Sequence, residues 1–378
     1  KKDFKAEINE LKQVTGEIII DLAELLNIEV SDTVRKIFKS SVEVDSDVYK
    51  LFLKGKKLYD QVSSPESLVK SKELLTESLE MEPEFVHAHA ALCMTNAMMG
   101  EYEEAEENIE EAIELAENNE VNDDVLCFIH NYAGLYYKTI RNSRKAIKYF
   151  EKALKNQKKI GDRYMQAKIY HNMANCYSMQ EEHETNLNLI KRSQKIYKEL
   201  DVTISVGNSY AEMGVSYNNL KLFDESILSF NKAKPIYKSL DMNFKYAQAE
   251  IIQADVYMAT NDIDNAKNNL ESAIIIAKEM KNPMMDGRIA YSMGRILYYE
   301  SNFDDAMDQL EEAADIFQDL NNRLMLVKIL ILQANIMIEQ DNQKRAGKIL
   351  DKAEKYMKRV SEQNLKLEIS DLRNRIHG

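Results

Sequence analysis

Tryptophan is absent from the 378 residues, and only 11 Gly and 4 Pro are available to make turns. Sheet-rich folds need turn residues at short intervals, so this scarcity excludes most β-sandwiches and barrels. Cysteine is scarcer still. Cys93, Cys127 and Cys176 share no short spacing, which excludes a disulfide framework and a Cys-based zinc ribbon and fits a reducing compartment; we read them as packing residues. No apolar run approaches the ~18 residues a membrane span needs, and no signal-peptide pattern opens the chain. A cytoplasmic chain with no membrane insertion is therefore expected. Basic charge is also in deficit: 63 acidic against 50 basic residues leave a net −13, which argues against general affinity for nucleic acid or an anionic membrane. The chain opens on Lys1 rather than Met, and we read it as a piece of a longer protein.

Apolar residues are plentiful, at 44%, enough for a large core. At about 150 residues per domain the length suggests two or three domains, a count that an elongated repeat array would override. Comparing the sequence with itself reveals such an array. A small residue, a large apolar one four later and a small one three after that recur at Ala105/Ile109/Ala112, Ala146/Phe150/Ala153, Ser226/Phe230/Ala233, Ala266/Leu270/Ala273, Ala306/Leu310/Ala313 and Ala346/Leu350/Ala353. A weaker copy, Asn186/Ile190/Ser193, fills the gap, so the marker returns every 40 residues from 146 to 346. Twelve positions before each marker lies a second small residue, with a bulky one three after it: Gly134/Tyr137, Ala174/Tyr177, Gly214/Tyr217, Ala254/Tyr257, Gly294/Leu297 and Ala334/Met337. Both spacings place an apolar stripe on one face of a helix. Each unit is thus a helix pair, in which small residues let the backbones approach and bulky ones fill the groove between pairs.

This arrangement resembles the tetratricopeptide repeat (TPR), whose small positions 8, 20 and 27 and bulky positions 4, 7, 11 and 24 it matches over residues 45–360. Ser78, Leu79, Met81 and Pro83 look like the family's closing position and terminal proline, and the first unit places its small residues at Gly55 and Ser71, with the excess around Ser63-Ser64-Pro65-Glu66. Eight repeats are counted, with markers at 71, 105, 146, 186, 226, 266, 306 and 346. Since the family's usual period is about 34 residues, the 40-residue units need longer helices or longer turns. Gly161-Asp162, Leu200-Asp201, Leu240-Asp241, Asn282-Pro283 and Asn321-Asn322 mark turns, their Asp and Asn being expected N-caps. The fold implied is all-α: a right-handed superhelical solenoid of about eight TPR helix pairs, with an N-terminal helical connector at 1–44, the solenoid at 45–360 and a capping helix at 361–378. The cap carries Leu365, Ile369, Leu372 and Ile376, and residues 4–27 carry an amphipathic stripe from Ile8 to Leu26. The order of residues 11–30, a spacer and residues 47–60 is similar, over a short stretch, to the C-terminal TPR region of bacterial adenylate/guanylate-cyclase-like signalling proteins.

Catalytic and metal motifs are missing: no H-E-x-x-H, P-loop, G-x-G-x-x-G or G-x-S-x-G is present. Lys54-Gly55-Lys56-Lys57 reads as a small packing position among solvated lysines, His87 and His89 point apart on a helix, and Cys93 holds a small-residue position. No catalytic residue, metal or cofactor is expected. The 18 Met and 20 Tyr recur at helical spacing and read first as packing, second as a peptide-binding lining. Residues 101–124 hold twelve acidic and no basic side chains, whereas 141–159 hold eight basic and only Glu151 acidic. These read as solvated outer faces whose opposite signs help fix register, or as a docking patch.

The TPR resemblance implies a binding surface on the concave side, at repeat positions 2, 5, 9 and 12. Those positions give Asn131 and Lys138; Lys168, His171 and Asn175 with Asn172 beside them; Asn208 and Asn218; Asp255; Arg288, Tyr291, Arg295 and Tyr298; and Lys328 and Asn335. Asn can pair with a peptide backbone and Arg can grip a carboxylate; tolerated polarity on a solvated face fits the same residues. Glu212 stands where the TPR carboxylate clamp for chaperone tails expects Asn, which argues against that ligand. The expected function is a non-catalytic scaffold binding a protein or an extended peptide with an acidic group, as the interaction or regulatory region of a larger bacterial-type signalling protein. Two alternatives stay open: a peptide-pheromone-type receptor, and the regulatory part of a nucleotidyl cyclase or kinase whose catalytic domain lies upstream.

Overall fold

The computed structural model describes residues 45–60, 64–119, 121–358 and 362–377. The connector expected at 1–44, including the stripe at 4–27 and residues 11–30 of the cyclase-like resemblance, lies outside them. Among the described residues there are seventeen helices and no strand. The chain divides into two compact units, residues 1–196 and 197–378.

The first unit contains α1 (Ser46–Asp60), α2 (Pro65–Met81), α3 (Val86–Met99), α4 (Tyr102–Asn118), α5 (Asp123–Thr139), α6 (Ser143–Ile160), α7 (Arg163–Ser178) and α8 (His183–Glu199), in whose last turn the division falls. The second contains α9 (Thr203–Asn219), α10 (Phe223–Ser239), α11 (Asn243–Ala259), α12 (Ile263–Met280), α13 (Pro283–Tyr299), α14 (Phe303–Asp319), α15 (Arg323–Glu339), α16 (Gln343–Met357) and α17 (Gln363–His377). Consecutive helices pack as pairs, α1 with α2 through α15 with α16, and α17 lies on both α15 and α16.

Pair packing follows the marker residues. Ala146, Phe150 and Ala153 are fully buried, as are Ala266, Leu270 and Ala273. Where a polar residue takes a small position, its side chain bonds the carbonyl of the partner helix's own small residue. Ser71 Oγ donates to Gly55 O at 2.8 Å, Asn186 Nδ2 to Ala174 O at 2.8 Å and Ser226 Oγ to Gly214 O at 2.7 Å. At the closing position Ser78 Oγ donates to Val48 O and Ser193 Oγ to Ala167 O. Close approach thus makes a buried carbonyl reachable, and the hydroxyl or amide that reaches it is itself satisfied.

The 40-residue period comes from helix length. From α4 to α16 the helices run 15 to 18 residues, and the links are short. Most links contain one left-handed residue: Gly161 with φ 85°, and Arg141, Glu181, Asp201, Lys221, Asp241, Asn261, Lys281, Ser301, Asn321 and Asp341 with φ between 47° and 62°. At Lys221 the termination is a Schellman turn, in which Leu222 N donates to Tyr217 O (2.9 Å) and Lys221 N to Asn218 O (2.9 Å). Asn122, Asn142, Asp162, Asp262, Asn282, Asn322 and Asn342 cap the helices that follow them by accepting a backbone N–H. Two expected caps differ. Asp201 and Asp241 take the left-handed position instead, and Val202 and Met242 follow as N-cap residues without a side-chain bond. A side chain at φ near +60° carries steric cost that Gly escapes, so Lys221→Gly should raise stability by about 0.5–1 kcal/mol in urea unfolding.

The oppositely charged segments meet at few points: Lys159 of α6 pairs with Asp123 at the start of α5 at 2.9 Å, with Lys159 well exposed. Between acidic α4 and basic α6 the ion pair found among the described residues is Lys145–Glu106, at 3.9 Å with both side chains substantially exposed. Their expected help in fixing register is therefore small.

Candidate functional site

Within residues 197–378, α11, α13, α15 and α17 line an open cavity of about 490 Å³. The TPR spacing of polar residues on successive first helices brings Asp255, Arg288, Tyr291 and Arg295 to it, together with Tyr298, Lys328 and Asn335. Arg295 Nη1 is ion-paired and hydrogen-bonded to Asp255 Oδ1, and its guanidinium also lies over the Tyr291 ring, 5.8 Å from the centroid. Burial works against the Arg295 charge, but Asp255, Tyr291 and Tyr299 outweigh it and hold its pKa above the ordinary arginine value. Arg288 is different. Burial, only partly countered by Asp255, pulls its pKa below the ordinary value, and among the described residues no carboxylate lies within ion-pair distance of it.

The cap helix contributes to the same cavity. Leu365 and Glu368 of α17 line it; the Glu368 side chain is exposed as a whole, yet partial burial of its carboxyl raises the pKa, with Lys328 opposing. Arg375, also on α17, donates to Asn335 Oδ1 and Glu339 Oε1, each at 2.9 Å. Sequence reasoning assigned α17 only a covering role and so missed Leu365 and Glu368. A signal existed: Asp255 and Arg295, then Asn335 and Arg375, are 40 residues apart, so equivalent positions of adjacent repeats carry complementary groups.

A second cavity of about 310 Å³ lies between α9, α10 and α11, lined by Asn208, Glu212, Tyr237, Lys245 and Gln248 among others. Asn208 is already engaged, since its Oδ1 accepts from Lys245 Nζ (2.7 Å) and Tyr237 OH (3.2 Å). Burial lowers the Lys245 pKa, and Glu212 partly restores it. Asn218 is half-buried near the end of α9 and does not line this cavity.

In the first unit the expected residues are more dispersed. Asn131 is buried, only 4% exposed, and its Oδ1 has no hydrogen-bond partner among the described residues. Lys138 Nζ donates to Asn172 Oδ1 at 3.3 Å, linking α5 to α7. His171 and Asn175 are half-buried on α7, while Lys168 is exposed above the Tyr164 ring. Gly55 and the cysteines, read as packing residues, are packed closely, and His87 and His89, read as surface or groove histidines, are half-buried. A Cβ on Gly55 would meet Leu75 at 2.8 Å, the His87 ring lies tilted against Phe128 with centroids 4.7 Å apart, and His89 bonds Asn108 and the Pro83 carbonyl. All three cysteines are buried, and burial pushes the thiols up, Cys127 to about 12 and Cys176 to about 11. No group of three or more His, Cys, Asp or Glu among the described residues could hold a metal, and no described helix is long and apolar enough to cross a membrane.

The tetratricopeptide repeat family profile matches residues 86–159 and 124–199, and a profile described as anaphase-promoting complex subunit 5 matches residues 211–285. No curated protein sequence matches the chain. Solved structures do: the apo form of the quorum sensor NprR from B. thuringiensis superposes with a TM-score of 0.69 at 13% identity, over 93% of this chain and 96% of that one. The apo form of RapI gives 0.66 at 13% identity, over 82% and 86% of the two chains. A Rap protein in complex with Competence and Sporulation Factor gives 0.57 at 11% identity, over 87% and 99%. At such identities the likeness is one of fold. The chain folds as a tetratricopeptide-repeat solenoid, and the paired helices and small-residue markers described above are its repeats.

Proposed function

We propose that this chain is a non-catalytic, protein- or peptide-binding TPR scaffold, cytoplasmic, in which residues 45–360 bind, 361–378 cap and 1–44 connect to the rest of a larger bacterial-type signalling protein. The observation that carries the reading is the cavity of residues 197–378, where a desolvated, unpaired Arg288 shares walls with Tyr291 and Tyr298. A half-buried guanidinium that only a more distant carboxylate compensates can take a ligand's acidic group with little further desolvation. We therefore place the ligand's acidic group at Arg288. Arg295, which the spacing alone made an equal candidate, serves instead as half of a pair with Asp255. On α7, Asn172, Asn175, Lys168 and His171 form a separate polar set suited to a partner's backbone.

The pheromone-receptor alternative draws support from the fold shared with a quorum sensor and with a Rap protein solved with a peptide factor. The cyclase or kinase alternative depends on what precedes Lys1. Screening the chain against a peptide array should yield binders that Arg288→Ala and Asn175→Ala weaken, the former by about 2–5 kcal/mol. Reversing outer charges, as in Glu107→Lys or Lys152→Glu, should leave them unchanged. Binders sensitive only to the outer charges would move the interface to the outer face and end the groove reading.

A further inference from the structure

The outer charges of α4 and α6 are opposite in sign and matched in position. Counted from the markers Ala105 and Ala146, each position of α4 corresponds to the one 41 residues on in α6. Glu107 and Glu114 correspond to Lys148 and Lys155, and Glu103 and Glu111 to Arg144 and Lys152, so four equivalent positions reverse sign. Between them Glu110 and Glu151 repeat it. Helical periodicity puts all of these on the side away from the buried Ala105, Ile109, Ala112 and Ala116 of α4 and Ala146, Phe150 and Ala153 of α6. All but the half-buried Lys152 are exposed. Among the described residues, the ion pairs that join the two charged segments, Lys145–Glu106 and Lys159–Asp123, use other side chains and leave the four reversed positions of each helix without an ion-pair partner.

Both helices run antiparallel to α5 and start at the same end of it. Tyr136 OH donates to Tyr102 O at 3.1 Å, and Tyr137 OH donates to Glu106 Oε1 at 3.4 Å while its ring stacks on Tyr149, with centroids 5.4 Å apart. At the other end of α5, Asp123 meets Lys159. Thus α4 and α6 are parallel and level, one acidic on its outer side and one basic. A two-fold axis running across them would lay α4 on α4 and α6 on α6, like charge on like. An axis running along them, between the two, lays α4 of each copy on α6 of the other, in the same direction and at the same height. Glu107 and Glu114 then face Lys148 and Lys155, and the symmetry makes each contact twice. We propose that two copies of this chain associate through the outer faces of α4 and α6 in the second arrangement. Helices of 17 and 18 residues offer a face about 26 Å long and about 20 Å wide, hence about 1,000 Å² buried in total. That is the low end for a specific interface, and its ion pairs are individually weak. The dimer is therefore reversible and salt-sensitive.

Sedimentation equilibrium of the full chain, at up to about 1 mM, tests the contact. A dimer is expected at about 50 mM salt, with a dissociation constant at least about tenfold higher at about 500 mM. Glu107→Lys/Glu114→Lys and Lys148→Glu/Lys155→Glu should each be monomeric where the unaltered chain is dimeric. Mixed in equal amounts, the two variants should form a heterodimer about as tightly as the unaltered chain pairs, because each altered helix then faces its complement. Net charge predicts otherwise: the first variant is less negative than the unaltered chain, at −13, and general repulsion alone would make it associate more. Unchanged circular dichroism melts control for folding. Should a reversal lower the melt, Glu107→Gln/Glu114→Gln takes its place and should weaken the dimer at least about fivefold. A chain that stays monomeric at about 50 mM salt overturns the self-association. A dimer that either reversal leaves intact, or variants that fail to pair on mixing, overturns this face as its site. Peptide binding in the groove is read separately, so none of these outcomes bears on that proposal.

Discussion

Phe150→Ala should cost about 3–5 kcal/mol of stability in residues 1–196, as expected for a large aromatic removed from a closed site. Phe150 is fully buried, and its ring lies against the one residue of α5 that has no side chain. A Cβ added to Gly134 would sit 2.5 Å from Phe150 Cε1 and 2.6 Å from Cδ1, so Gly134→Ala overpacks the same contact and should cost about 1–3 kcal/mol. The other repeats show how the two positions are matched. Gly214 faces Phe230 in the same way and Gly294 faces Leu310, whereas Ala254 and Ala334 accompany Leu270 and Leu350, so glycine stands opposite Phe or Leu and alanine opposite Leu. The double variant Gly134→Ala/Phe150→Leu converts one pairing into the other. Its loss in urea unfolding should fall short of the summed single losses by about 1 kcal/mol or more. Strict additivity would show that the two positions do not share a packing constraint.

That co-selection of small and large residues is why the helix pairs were legible in the sequence. Each marker residue has to be small or large for a steric reason, and the reason repeats every 40 residues. Even the weak copy at Asn186 and Ser193 fits, because polar atoms at a close helix crossing can bond the facing carbonyl. The turns were only half legible. An Asn or Asp before a helix can cap it or occupy the left-handed residue just ahead of the cap, and the choice at Asp201 and Asp241 depends on register within the turn. The site was legible as a set of residues on the first helices, but not as a set of partnerships. Arg288 and Arg295 lie on the same helix, seven residues apart, and look alike in sequence. What separates them is that Asp255, at Arg295's position one repeat earlier, forms a contact ion pair with Arg295 and acts on Arg288 only from beyond ion-pair distance. The cap's share of the cavity was hidden because Leu365 reads as part of an apolar stripe whichever surface it covers.

Charge pairing also yields the second large effect. Lys234 of α10 and Glu250 of α11 meet at 2.9 Å with side-chain exposures of only 16% and 4%, and Ser272 of α12 lies 3.3 Å from the other Glu250 oxygen. Three helices thus converge on one desolvated carboxylate. Exposed pairs such as Lys267–Glu300, at 40% and 38%, are worth about 0–1 kcal/mol and weaken with salt. Removing one partner of a buried pair leaves the other charge uncompensated, which costs about 3–5 kcal/mol. Glu250→Gln should therefore destabilise residues 197–378 by about 3 kcal/mol, the lower end of that range, because Lys234 keeps enough exposure to turn its ammonium towards water. The loss should change little between low and high salt, unlike that of Glu300→Gln. Replacing both members, as in Lys234→Met/Glu250→Leu, should restore most of the stability, since a packed apolar pair carries no desolvation cost. If Glu250→Gln instead costs under about 1 kcal/mol and its effect is screened by salt, the pair behaves as a surface contact and the three-helix clamp does not contribute to folding.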